Sequence, residues 1–311
     1  MRAAVLVEEG AAPQLGDFAD PQAKEGQVVV EVTAAGVHHL DLEKASGAYG
    51  VPVFPYVAGS DGVGRTADGR RVYFDAPVSP YGSWAERTVA PEANLLDLAE
   101  GVDDVTAAAL GHTGLAAWCA LSWRAGLQPG ESVLVLGASG ALGSVAVQAA
   151  KAQGASHVIA AGRDPDRLRR ARERGADATV VVDAGTNLPA AFRTAAGSHG
   201  IDVVIDALWG EPALAALQAV SRGARHVQIG NSAAATIELP APMLRYNALQ
   251  ILSFTITDVP LDALRTAYRN LTEQAAEGKI SVDTKALPLA DVATAWEQQR
   301  RGAPAKLVLT P

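Results

Sequence analysis

Apolar positions along the chain fall into two rhythms. Between residues 132 and 253, short apolar runs alternate with stretches of helical spacing. Ser132–Leu136 (SVLVL) reads as a strand buried on both faces. Val145, Ala149 and Ala152 then recur at helical spacing, and Gly154 supplies a stop. The alternation continues with strands predicted at His157–Ala161, Ala178–Val182, Asp202–Asp206, His226–Ile229 and Leu249–Ser253. Between them, Asp164-Pro165 opens a helix that closes at Gly175, since Asp suits the N-cap and Pro the first helical position. A second helix is predicted over Glu211–Ser221, ending near Gly223. Strands alternating with helices predict a doubly wound α/β domain on a parallel sheet.

The first part of the chain has a different texture. Arg2–Val7, Gln27–Thr33, Gly62–Thr66, Arg71–Phe74 and Trp84–Val89 are short strand candidates separated by Gly, Asp and Pro. Many short strands with turn punctuation predict a small barrel or sandwich. Ala107–Ser122 reads as an apolar helix leading into the second domain. Beyond Val259 the pattern predicts a helix over Leu261–Ala276, a strand near Ile280, a helix at Val292–Gln299 and an apolar tail at Lys306–Leu309. That tail is expected to return to the first domain. The expected domains are therefore 1–117 with 258–311, and 118–257.

The strand, glycine turn and helix around residue 137 carry the first chemistry. Gly137, Gly140 and Gly143 stand at three-residue spacing, with Ala138, Ser139, Ala141 and Leu142 between them. Glycines allow a tight turn and a close approach to a pyrophosphate, while the new helix aims its N–H groups at that anion. The spacing has two residues between the first glycines rather than one. The next strand ends in Ala160-Ala161-Gly162-Arg163, without the acidic residue that binds an adenosine ribose in NAD enzymes. Gly162 leaves room for a 2′-phosphate, and the Arg163 guanidinium suits its oxygens. Arg167 shares that side of the chain; the Asp164 carboxylate either takes the ribose or caps the helix beside Pro165, the cap being preferred; and Arg169, Arg170, Arg172 and Arg174 read as a solvated face. The cofactor expected is NADPH.

Composition narrows the field. The 311 residues are 49% hydrophobic, enough for two cores, and the net charge is −8. That charge argues against a general nucleic-acid or membrane surface. The single cysteine, Cys119, excludes an intrachain disulfide and a four-cysteine zinc site. The N-terminal stretch has no signal-peptide pattern, and no apolar run approaches the length of a spanning helix. A cytoplasmic protein is expected.

In order and spacing, AAGVHHLDL (Ala34–Leu42), GSDGVG (Gly59–Gly64), GASGALG (Gly137–Gly143), DVVID (Asp202–Asp206), VQIGNS (Val227–Ser232) and KLVL (Lys306–Leu309) resemble the medium-chain dehydrogenase/reductase superfamily. The branch they resemble is the zinc-independent, zeta-crystallin-like quinone oxidoreductases. The resemblance covers almost the whole chain and implies a GroES-like β-barrel catalytic domain joined to a Rossmann domain. Zinc relatives carry a Cys, a His in G-H-E and a second Cys; here those positions read His38, Ser60 and no cysteine near Gly111–Gly114. No metal is therefore expected.

By the same resemblance, Ala207 lies near the cofactor ribose and pyrophosphate. Gly230, Asn231, Phe254 and Thr255 line the nicotinamide side, and Lys306 reaches the cofactor phosphates or caps a surface. His38 and Tyr49 are the candidate catalytic residues, as donors to an acceptor oxygen that gains negative charge when hydride arrives. Glu43 and Ala116 depart from the family pattern, where a tyrosine and a threonine are usual. The implied activity is NADPH-dependent hydride transfer to a quinone or related electron-poor carbonyl. An enoyl or alkenal reductase is an alternative, and an NADPH-binding structural or sensor protein is another. A small-molecule substrate and a homodimer joined through Leu249–Phe254 complete the expectation.

Overall fold

The computed structural model describes residues 1–50 and 53–311. It divides into two compact units, Met1–His112 with Leu264–Pro311, and Thr113–Ala263. The chain opens with β1 (Arg2–Leu6), β2 (Gln14–Asp17) and β3 (Gln27–Gly36), followed by α1 (His39–Ala45). Then come β4 (Tyr56–Val57), β5 (Asp61–Arg65), β6 (Arg71–Asp75), β7 (Arg87–Pro91), β8 (Leu96–Asp97), α2 (Asp104–Leu110) and α3 (His112–Cys119). The second unit holds β9 (Ser132–Leu136), α4 (Ala141–Ala152), β10 (His157–Gly162), α5 (Pro165–Glu173), β11 (Ala178–Val181) and α6 (Leu188–Ala196). It continues through β12 (Val203–Asp206), α7 (Gly210–Leu217), β13 (Arg225–Gln228), α8 (Ala241–Asn247) and β14 (Gln250–Ser253). The chain ends with α9 (Leu261–Ala276), β15 (Thr284–Pro288), α10 (Val292–Arg300) and β16 (Lys306–Thr310).

In the first unit the strands run β15-β16-β3-β5-β6-β8, with β7 also on β3, beside a small sheet β2-β1-β4. The tail strand β16 pairs antiparallel with the end of β3, Val308 opposite Gly36, so the last residues do return to the first unit. Alternation along β3 buries Val30 and Val32 with Phe74, Trp84, Trp296 and Leu307. The Trp84 indole N–H donates to the Gly36 carbonyl at 2.9 Å, so the one polar atom of that core ring is satisfied.

The second unit is a parallel sheet in the order β11-β10-β9-β12-β13-β14. Past Ser132 its central strand, β9, is apolar because both faces are covered: Val133, Leu134, Val135 and Leu136 are fully buried. Each such side chain contributes about 1.5–3 kcal/mol of burial energy. The order reverses between β9 and β12, which is where such sheets bind ligands at their carboxyl ends.

Several elements differ from the sequence reading. The predicted Ala107–Ser122 helix starts earlier, at the Asp103 cap, and breaks at Gly111. A Cβ at Gly111 would lie 2.3 Å from Tyr73 and 2.7 Å from an Asp61 oxygen, so the break brings backbone against those side chains. After α3 the chain takes a π-helical turn, Ala120–Ala125, closed by left-handed Gly126. The strand expected from Trp84 begins at Arg87. Ile280 is not in a strand; its N–H and that of Lys279 close the end of α9 on the Gln274 carbonyl, and the strand is Thr284–Pro288. Three short helices, α1, α6 and α8, have no counterpart in the sequence reading. Among the described residues, no single helix is long and apolar enough to cross a membrane.

Candidate functional site

The glycine turn of the second unit forms a cradle of backbone. Gly137 sits at φ 82°, and helix α4 starts at Gly140 with no side-chain cap, so its first N–H groups are left for a ligand. A Cβ at Gly143 would lie 2.3 Å from the Gly137 carbonyl oxygen and 2.6 Å from the Ala138 Cα. Only glycine lets the helix and turn approach this closely. Ala138 is buried beneath the turn, and Ser139 packs over Gly162, the last residue of β10. This cradle fits a dinucleotide pyrophosphate, with Ala141 and Leu142 contributing their N–H groups.

The strand tip beside the cradle is basic. Arg163 is exposed, with no hydrogen bond or ion pair among the described residues. Asp164 caps α5, its Oδ1 accepting the N–H of Asp166 at 2.9 Å and of Arg167 at 3.1 Å. Its Oδ2 lies 3.3 Å from the Arg167 Nε. Arg167 also donates to the Ser139 carbonyl at 3.0 Å, which fixes its guanidinium against the glycine turn. Arg174 departs from the solvated face expected of it: it is half-buried and donates to Ser144 on α4 at 3.0 Å.

Across the switch point, β12 ends in a buried pair that the sequence reading passed over. Asp206 Oδ1 accepts the N–H of Leu208 at 2.8 Å and of Trp209 at 2.9 Å. Its Oδ2 takes the His226 Nε2–H at 2.8 Å. The carboxylate holds Trp209 at φ 58°, ψ −162°, a region that glycine alone enters readily and that costs about 1–3 kcal/mol. Ala207 and Gly230 stand side by side at the strand ends, since a Cβ on Gly230 would be 3.1 Å from the Ala207 carbonyl. Asn231 lines an open groove of about 470 Å³ with Arg124, Trp209, Gln228 and Ser253.

Phe254 and Thr255, expected on the nicotinamide side, follow β14 at the carboxyl end of the sheet. The Phe254 side chain is buried, edge-on to Trp123 at 6.4 Å, so it supports the end of β14 rather than presenting a surface. The Thr255 hydroxyl is spent on capping the turn that follows, accepting the Thr257 N–H at 3.2 Å.

In the first unit, His38 is the N-cap residue of α1, two positions past β3, and sits at the centre of a buried polar cluster. Its Nε2 is 2.6 Å from Asp61 Oδ1, and its Nδ1 is 2.8 Å from the Lys306 Nζ. Lys306 also donates to the Val37 carbonyl at 2.7 Å. Asp61 Oδ2 accepts the Tyr73 hydroxyl at 3.0 Å and the His112 backbone N–H at 2.9 Å. A second carboxylate, Asp41, accepts the His38 N–H at 2.8 Å and the Ser60 hydroxyl at 2.7 Å, and Lys44 donates to Ser60 at 2.8 Å. Burial lowers the affinity of His38 for a proton, against the pull of Asp61. Burial alone would raise the Asp61 carboxyl, but its His38 and Lys306 neighbours hold it below the ordinary carboxylate value. Burial draws the Lys306 ammonium down to about 8, opposed by Asp61 and Asp41.

This geometry bears on the roles expected of His38 and Lys306. Both ring nitrogens of His38 are on protein partners, so His38 has no ring N–H left for an acceptor oxygen. Lys306 neither reaches outward to phosphates nor caps a surface; it points inward. Tyr49 is two-thirds exposed, at 67%, and its hydroxyl donates to Glu43 at 3.2 Å. The sequence signal for the cluster was present in GSDGVG and KLVL, but nothing in the spacing shows that Asp61 and Lys306 meet at His38.

The donor set does not fit a tetrahedral zinc. Zinc takes thiolate, imidazole and carboxylate ligands. Here the His38 nitrogens are paired, Ser60 is a neutral hydroxyl bonded to Asp41, and burial pushes the lone Cys119 thiol up to about 12. Among the described residues no group of three His, Cys, Asp or Glu side chains is placed to hold a metal.

Comparison with known proteins agrees with the fold. Residues 141–276 match the model of the family described as zinc-binding dehydrogenase. Human quinone oxidoreductase is 32% identical over 253 residues, covering 77% of this chain and 75% of that protein. The quinone oxidoreductase of Thermus thermophilus, solved also in complex with NADPH, is 30% identical with a TM-score of 0.85, covering 100% of both chains. A mycobacterial quinone oxidoreductase superposes over 100% of both chains with a TM-score of 0.90 at 22% identity. The chain therefore belongs to the quinone-oxidoreductase-like family of medium-chain dehydrogenases/reductases, and is an oxidoreductase that uses a nicotinamide cofactor.

Proposed function

We propose that the protein is an NADPH-dependent, zinc-independent reductase that passes hydride to a quinone or a related electron-poor carbonyl. The observation that carries the cofactor choice is the state of Asp164. Its two oxygens are committed to two backbone N–H groups and to Arg167, so no free carboxylate stands at the tip of β10 to take a ribose 2′-hydroxyl. Arg163, exposed and unengaged, offers a 2′-phosphate a planar pair of donors. Arg167, pinned to the Ser139 carbonyl, adds a second charge beside the turn.

When bound, the reduced nicotinamide supplies the hydride. The protein's own part is to bind, orient and stabilise. The uncapped start of α4 holds the pyrophosphate, and Ala207, Gly230 and Asn231 flank the strand ends beyond it. The acceptor oxygen gains negative charge as hydride arrives, and a fixed donor or cation lowers that barrier. Tyr49 is the hydroxyl candidate, and His38 contributes through the cluster that holds it. An enal or enoyl acceptor is the second reading, favoured by Glu43, which engages the Tyr49 hydroxyl and changes the donor a quinone would meet.

Oxidation of NADPH and of NADH, each measured with quinone and enal acceptors, tests both choices. Faster NADPH turnover with quinones supports the first reading. Binding without turnover of any acceptor would make the protein a sensor or structural binder instead. We further propose a homodimer through β14, whose Gln250, Ile251 and Ser253 side chains are exposed at the sheet edge. A monomer by light scattering would remove that part.

A further inference from the structure

A lysine ammonium buried to 6% exposure is costly unless its surroundings are built for it. Here they are built. Nζ donates to the Val37 carbonyl and to His38 Nδ1. A nitrogen that accepts cannot carry a proton, so the His38 proton sits on Nε2 and is donated to Asp61. The backbone also makes room: a Cβ at Gly36 would lie 2.5 Å from the His38 Nε2 and 2.7 Å from the Asp61 Oδ1. The charged and titratable groups around the ring are Lys306 from β16, Asp61 from β5, Asp41 from α1, Tyr73 from β6 and His112 from α3. Lys44 acts through Ser60. Lys306 and Asp61 balance, as do Lys44 and Asp41.

We propose that Lys306 is a positioning residue: it fixes His38 as the neutral Nε2–H tautomer and holds one buried positive charge at the end of β3. This rests on the proposed reductase reading for its purpose. A cation held rigidly in a low-dielectric site stabilises an oxygen anion far better than one in water, and needs no reorganisation when that anion forms. Lys306 does this without touching the acceptor, as a fixed charge inside the cluster.

The tautomer is measurable without any substrate, so its outcome is independent of the reductase reading. Protein labelled with ¹⁵N-histidine carries only six histidines to assign. In the wild type, His38 should show an acceptor-type Nδ1 and a protonated Nε2. Its Nδ1 shift should move with a midpoint near 8, where Lys306 releases its proton. A His38 protonated on Nδ1 at neutral pH overturns the proposal even if no variant folds.

Lys306→Met keeps the apolar stem and removes the donor. With Asp61 still taking the Nε2–H, it should free Nδ1 to gain a proton at higher pH than in the wild type, and give a kcat about tenfold lower, with NADPH affinity unchanged. Lys306→Arg should recover part of that loss. A His38 Nδ1 that protonates at the same pH in Lys306→Met as in the wild type, or equal losses in both variants, overturns the proposal. If Nδ1 protonation follows Lys306 but no acceptor is reduced, the positioning stands and the reductase reading falls.

Discussion

The two units bind charge in opposite ways. In the first, a histidine, two carboxylates and the Lys306 ammonium face one another inside the protein, with half-buried Lys44 at their edge, and each is hydrogen-bonded to protein partners. In the second, the cradle at Gly137–Gly143 is made by leaving side chains out and leaving the helix start uncapped. The first arrangement is complete as it stands. The second is incomplete until an anion arrives. Internal completion makes a rigid scaffold whose loss is felt as stability, and incompleteness makes a binding site whose loss is felt as affinity.

The largest expected effect comes from breaking the complete arrangement. Asp61→Ala strands the Lys306 charge, the Tyr73 hydroxyl and the His112 N–H in the interior. Removing one partner of a buried pair costs about 3–5 kcal/mol. Urea unfolding at neutral pH should show that loss. A cost under about 1 kcal/mol would mean that Asp61 is not what holds the cluster.

Filling the cradle comes next. Gly143→Ala places a methyl 2.3 Å from a backbone oxygen, and backbone cannot yield as a side-chain tip can. Overpacking of this kind costs about 1–3 kcal/mol. NADPH and NADH affinity should fall together, by calorimetry, since both share the pyrophosphate. Unchanged binding would place the dinucleotide elsewhere.

How much of this was legible in the sequence depended on range. The doubly wound sheet was readable because each strand is a local apolar run and each helix has a local stop, as at Gly154 and Gly175. Asp164 announced itself as a cap through Pro165. Helix α6 carried a signal too, with Asn187 as cap and Leu188, Phe192 and Ala196 at four-residue spacing on its buried side. Its alanines and arginine blur that stripe, which hides the helix from a reading by periodicity. Helix α8 buries none of its residues, so it has no core-facing pattern to read. The cluster at His38 was out of reach for another reason. Lys306 and His38 are 268 positions apart, and no spacing rule reports that β16 lies beside β3. A buried lysine is also rare enough that the exposed reading came first.

A smaller effect separates the two cofactors. Arg163→Ala removes the unengaged guanidinium but leaves the glycine turn intact. NADPH affinity should drop about tenfold, roughly 1.4 kcal/mol, with NADH nearly unchanged. Equal losses for the two would shift the phosphate-binding role to Arg167 or remove it. Against Gly143→Ala, which should weaken both cofactors alike, this variant tests whether the cradle and the strand tip read separate parts of one ligand.

The smallest effect is the pH dependence of stability, because two neighbouring histidines oppose each other. His38 and His112 stand with ring centroids 5.2 Å apart. Burial keeps His38 neutral below its unfolded value of 6.5. Its stabilisation is therefore present above 6.5 and lost as pH falls, when the unfolded chain takes up the proton first. Burial also works against a charge on His112, but the Asp75 carboxylate, 3.6 Å from its Nδ1, outweighs burial and raises its proton affinity. The His112 contribution is present below 6.5 and lost as pH rises through its folded value. The two slopes oppose each other in the wild type. His112→Gln removes one slope and exposes the other, so its melting temperature should fall more steeply with acid than that of the wild type. A parallel decline in both proteins would show that His112 carries no such linkage and that the balance within the first unit is set by Lys306 and the carboxylates alone.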